Sequence, residues 1–314
     1  MKKWLIAMSV GLAAMVLWST PAVAQSCCAA SQAAGPTRLS MAQVGAVGIS
    51  ADARRYGGAF SGDQYLSLSN PGHELRQSLF GAWRVGDSWQ VGATIPLVQN
   101  RRDDGQTSEW GGGLGDISAQ ARYEFVGTGT SASWPGIGLV GSVTAPTGRS
   151  PTDSMVRAQT AMQSDVTGAG RWQLGLGAQV EWSWRKSFVA TEVGVNQGLP
   201  YVDARGRDTT TLPGLSARAS VGRTVGMPLL WDHTLYLATG LHFNQTSGMR
   251  VDGEAVENTS ERMTSVSVNA GGYLTERTYL MIRGTWDLPV DGLGKNRLVG
   301  PGFGLVLRRV FHGR

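Results

Sequence analysis

Residues 171–185 read RWQLGLGAQVEWSWR. Trp172, Leu174, Leu176, Ala178, Val180, Trp182 and Trp184 share one parity, and Arg171, Gln173, Gly175, Gly177, Gln179, Glu181, Ser183 and Arg185 share the other. Strict alternation at period two predicts a strand with two unlike faces. The run is also longer than the roughly five or six residues of an ordinary strand. A transmembrane β-strand accounts for all of this. The bilayer sets the length, tryptophans sit at the two interfaces, and charge faces a wet lumen. A soluble sandwich could bury the same apolar face as its core.

The alternation recurs along the chain. Further strands are predicted at 43–56, 74–85, 89–98, 116–126, 136–146, 188–197, 212–224, 232–244, 262–274, 278–288 and 300–311. Short links follow every second strand and long polar links follow the others. Two of the long links are a glycine-, serine- and asparagine-rich stretch reaching residue 72 and the segment RRDDGQTSEWGGGLG. An up-and-down antiparallel membrane barrel has this rhythm, with an even strand count, short periplasmic turns and long outer loops. Closure also removes the sheet edges that lipid does not tolerate. The expected fold is therefore all-β, a barrel of about 12 strands over residues 43–314 with both termini periplasmic; ten and fourteen strands are the neighbouring counts.

Parity then sorts the side chains. The lumen is expected to carry Arg84, Arg122, Glu124, Arg171, Glu181, Arg185, Glu192, Arg218, Arg283 and Asp287 as a solute path. A lipid-facing aromatic girdle is expected from Trp83, Trp89, Tyr123, Phe125, Trp172, Trp182, Trp184, Phe243, Trp286, Phe303 and Phe311. Phe311 would supply the terminal aromatic that insertion machinery reads, although His312, Gly313 and Arg314 trail it. Arg309 breaks the outward parity, which is tolerable near an interface.

The start of the chain adds a compartment. Lys2 and Lys3, an apolar run over 4–18 and the Ala22-Val23-Ala24 ending form a signal peptide with cleavage after Ala24. Residues 25–42 read as a flexible periplasmic lead-in. The formal net charge of +5 becomes +3 once 1–24 and its two lysines are gone. No basic cluster of the kind nucleic acid needs is present. No apolar run of about 18 residues remains, which excludes a helical membrane protein.

Candidate chemistry is sparse. Cys27 and Cys28 are adjacent, which opposes both a mutual disulfide and a standard zinc site. They are weak candidates for a soft metal, and no cofactor is expected. Met155 and Met162 in the loop 147–169 read as packing rather than a copper site. The glycine run at 111–115 lacks the lysine and hydroxyl of a phosphate-binding loop.

GGGLGDISAQARYEF at 111–125, TAPTGRSP at 144–151 and GAGRWQLGLGAQVEW at 168–182 resemble the outer-membrane barrels of the phenol meta-pathway degradation transporter-like family, over roughly 75–311. The resemblance implies a channel for small, often hydrophobic or aromatic compounds and transfers no catalytic residue. The expected partners are outer-membrane lipid, a small solute and the barrel-insertion machinery.

Two alternatives stand beside a channel. One is a structural or surface-binding barrel with a filled lumen, working through loops such as 147–169 and 245–261. The other is an outer-membrane hydrolase, which needs a histidine beside a serine on the outer rim. Of the four histidines, His312 lies in the tail, His233 at the periplasmic end and His242 in the lumen, leaving only His73. The chain is therefore expected not to be an enzyme.

Overall fold

The computed structural model describes residues 36–40, 42–103, 105–127, 134–151, 153–154, 163–203, 206–226 and 234–313. The expected signal peptide, Cys27, Cys28, Met155, Met162 and His233 lie outside the described residues. In chain order the strands are β1 (Gln43–Ser61), β2 (Gln64–Val85), β3 (Trp89–Asp103), the short β4 (Ser108–Leu114), β5 (Ile117–Val126), β6 (Gly136–Ala145), β7 (Gln173–Trp184) and β8 (Ser187–Gly198). Then come the short β9 (Tyr201–Val202) and β10 (Asp208–Thr211), β11 (Gly214–Gly226), β12 (Thr234–Thr246), and the short β13 (Met249–Val251) and β14 (Glu254–Val256). The chain ends with β15 (Glu261–Thr275), β16 (Thr278–Asp287), the two-residue β17 (Leu298–Val299) and β18 (Pro301–His312).

Twelve of these close into an antiparallel barrel in the order β1, β2, β3, β5, β6, β7, β8, β11, β12, β15, β16, β18. The seam joins first to last, from Gln43 opposite His312 to Arg54 opposite Gly302. No ladder of the wall is left unpaired, which a spanning sheet requires. Boundaries agree with the alternation pattern to within a few residues for most strands, because lipid outside and water inside impose the strongest contrast a strand can carry.

The alternation is realised as inside and outside. On β2, Leu79 is 57 % exposed on the outer surface while the next residue, Phe80, is 2 % exposed inside. Val47, Ile49, Leu174 and Leu176 are likewise exposed on the exterior. A bilayer rewards such a contiguous apolar surface.

Two long links differ from the expected loops. A tilted strand needs about 10 residues to cross the hydrocarbon, yet β1 has 19 and β2 has 22. Their upper halves project as a hairpin turning at Gly62 and Asp63, with Gly62 at φ +56. β17 pairs with this arm, Asn296 accepts a bond from the Gly62 amide at 2.9 Å, and Phe60, Met263 and Val299 form a small core behind it. RRDDGQTSEWGGGLG is also a hairpin, the end of β3 against β4. Above the membrane both faces of a strand are wet, so period two no longer marks it. At the same end β9, β10, β13 and β14 make a separate four-stranded sheet from two long links.

The three glycine-rich motifs meet at one point. Asp116 accepts the Gly148 amide at 2.9 Å and the Ala169 amide at 2.7 Å. Thr147 donates to the Gly115 carbonyl at 2.7 Å. A side chain at Gly168 would overlap the Asp116 carboxylate, so the close approach requires glycine there.

Candidate functional site, the lumen

The interior of the barrel has two storeys. At the short-turn end Phe80, Phe188, Tyr236, Tyr279, Met281 and Val306 form a buried apolar layer, with Tyr273 packed against it. The Tyr236 and Tyr279 rings lie parallel at 6.3 Å. Small residues opposite make the room: a Cβ at Gly222 would collide with the Phe188 ring.

Beside this layer, at the same short-turn end, the chain itself enters the bore. Residues 36–40 were expected within a flexible lead-in; instead they pack among inward side chains, with Arg38 4 % and Leu39 0 % exposed. The Arg38 guanidinium donates to both Glu181 oxygens at 3.0 Å and pairs with Glu124 at 2.5 Å. Gln120 donates to the Thr37 hydroxyl at 2.6 Å, and the Leu39 amide donates to Gln90 at 3.1 Å. From the far wall Arg308 donates to the carbonyls of Pro36 at 3.1 Å and Arg38 at 3.0 Å. Glu181 on β7 and Arg308 on β18 stand six places apart in the ring of twelve. The segment therefore spans the whole diameter. Its fixity comes from multidentate charge-assisted bonds in a place where unpaired charge would be costly.

The predicted lumen set divides accordingly. Arg84 belongs to the lower storey, bonding Glu124 at 3.0 Å and the Ser40 carbonyl at 3.1 Å. Arg122, Glu124 and Glu181 line a cavity of about 10 Å³ with Arg38 and Gln179. That is room for about one water. In the upper storey Arg283 pairs with Asp52 at 2.5 Å, and Arg54 pairs with Asp287 at 3.2 Å. Asp287 also accepts the Gly300 amide at 3.1 Å. Along the adjoining strands Arg218 donates to His242 Nδ1 at 3.1 Å, and His242 Nε2 meets the Ser267 hydroxyl at 2.9 Å. Glu192 is the register partner of Arg218. Residues 163–167 fold against the inner side of β3 and β4, where Asn100 donates to the Val166 carbonyl at 2.9 Å. Arg171 lies at the rim beside Gly198.

One predicted lumen residue is misplaced. Arg185 sits exposed in the turn after β7 at φ +50, because the strand ends at Trp184 and the parity ends with it. Sequence reasoning missed Arg38, Arg54, Asp52 and Arg308. Asp52, Arg54 and Arg308 had the right parity, whereas Arg38 lies outside any alternating run and its partner is 143 residues away.

The aromatic set lies on the exterior in two bands. Trp83 with Phe311, Trp89 with Tyr123 and Phe125, and Trp182 with Trp184 cluster at the short-turn end. Trp172, Phe243, Trp286 and Phe303 lie toward the other. His73 stands opposite Arg55 and Arg101 rather than a serine. Among the described residues no group of three or more histidine, cysteine or acidic side chains is placed to hold a metal.

No protein-family model matches the chain, and no curated protein matches it in sequence. Among solved structures, an outer membrane channel from Pseudomonas putida F1 is 16 % identical, with 88 % of this chain and 98 % of that chain covered and a TM-score of 0.68. The translocator domain of the autotransporter NalP from Neisseria meningitidis is 10 % identical over 86 % of this chain and 88 % of that one, with a TM-score of 0.48. Closure, register and the first of these likenesses together show the fold, a twelve-stranded barrel of the outer-membrane type.

Proposed function

We propose that the chain is an outer-membrane channel for small solutes whose bore is closed at one end by its own residues 36–40. Hydrophobic or aromatic solutes are the class implied by the family resemblance that the three glycine-rich motifs carry. The short turns and both termini face the periplasm, residues 1–24 are a cleaved signal peptide, and insertion machinery places the barrel. The observation that carries the reading is the attachment of the 36–40 segment. It is held by side-chain bonds rather than by a strand ladder, so it can leave the bore without breaking the wall. The charged upper storey would then be continuous with the periplasm.

Planar-bilayer recording of the mature protein tests this. Wild type is expected to conduct rarely, and Arg38→Ala or removal of residues 25–40 to raise the open fraction. Closed traces at all voltages for all three forms would refute passage. They would favour the second reading, a structural or surface-binding barrel, for which the buried aromatic layer is the supporting observation.

A further inference from the structure

On the exterior of the barrel, four cross-strand neighbours form one row. Arg55 on β1 stands opposite His73 on β2, His73 opposite Arg101 on β3, and Arg101 opposite Trp110 on β4. Neighbouring strands are about 4.8 Å apart, so the three basic groups lie within roughly 10 Å of one another. The next outward-facing row toward the short-turn end is Ala53, Leu75, Gln99 and Gly112. Beyond it come Ala51, Gln77, Leu97 and Leu114, and then Ile49, Leu79 and Ile95. The basic row thus crowns the apolar band, where headgroups replace acyl chains.

Its groups are open to the outside. Arg55 is exposed and makes no ion pair among the described residues. Trp110 is 69 % exposed and lies under the Arg101 guanidinium at 5.6 Å. Arg101 also donates to the Ser108 hydroxyl at 3.0 Å and, among the described residues, pairs with one acidic side chain, Asp103, at 3.7 Å. That long, solvated contact is of the kind that contributes little. A guanidinium pair around an imidazole presents the planar, multidentate donors that suit phosphate oxygens. A tryptophan at that level suits the boundary between headgroup and chain.

We infer that the row Arg55–His73–Arg101–Trp110 is a docking surface for a phosphorylated glycolipid of the outer leaflet. The inference rests on the membrane-barrel reading and its orientation given above. The phosphates would bridge Arg55 and Arg101 while the acyl chains lie along the apolar rows beneath.

The test uses the mature protein folded in detergent, its barrel verified by heat-shifted electrophoretic mobility, beside the triple variant Arg55→Gln, His73→Gln, Arg101→Gln. Native mass spectrometry then measures retention of bisphosphorylated lipid A, the same lipid with its phosphates removed, phosphatidylglycerol, and inorganic phosphate. Wild type is expected to retain the bisphosphorylated lipid about tenfold better than the variant does, and better than it retains the other three probes. Equal retention by the variant, or of the dephosphorylated lipid, overturns the proposal. Equal retention of phosphatidylglycerol or inorganic phosphate overturns it too, in favour of an inner-leaflet lipid or a free-anion site. A wild-type chain that forms no heat-shifted barrel overturns the membrane reading and this proposal with it. A folded barrel without phosphate-dependent retention overturns this proposal alone.

Discussion

The two storeys of the lumen solve the same problem in opposite ways. Near the short turns, space is filled by rings, Met281 and a crossing segment, and the cavity beside Arg38 has room for about one water. Toward the long-link mouth, charge is paired along the wall over β18, Arg283 with Asp52 and Arg54 with Asp287. A filled region resists loss of volume and of buried partners. A paired and partly wet one tolerates both, because water replaces what is removed. A twelve-stranded barrel is wide enough to need one of these solutions at every level.

Three substitutions sharpen that contrast. The largest effect is expected from Arg38→Ala, which leaves Glu124 and Glu181 in the lower storey without their shared cation. Breaking such a buried arrangement costs about 3–5 kcal/mol. Urea unfolding in detergent, followed by heat-shifted mobility, measures it. Met281→Ala, at 4 % exposure, opens a cavity in the aromatic layer and should cost about 2–3 kcal/mol in the same assay. Arg283→Ala removes one partner of a pair whose side chains, Arg283 and Asp52, are 30 % and 28 % exposed. A loss of about 1 kcal/mol or less is expected. If Arg283→Ala proved as damaging as Arg38→Ala, the distinction between the two storeys would fail.

The sequence carried the wall better than its contents. Lipid outside and polar surroundings inside write period two into every stave, so 187–198 and 278–287 were legible nearly to the residue. The projecting arms of β1 and β2 were not, because residues such as Tyr56, Phe60 and Tyr65 pack locally above the membrane, where no bilayer enforces a pattern. Parity identified Arg84, Arg122 and Arg283 as inward, yet said nothing of their partners. Arg38 was hidden for a different reason. It lies in a stretch of small and polar residues without period, and its value comes from carboxylates brought to it by closure of the ring.

Arg308 has a consequence for assembly order. This arginine belongs to the final stave and grips the carbonyls just ahead of the first. The clasp therefore cannot fasten until both ends of the polypeptide have met. A chain arrested before its last dozen residues would lack both its seam and the hand that holds its opening segment. Locking and circularisation are one event.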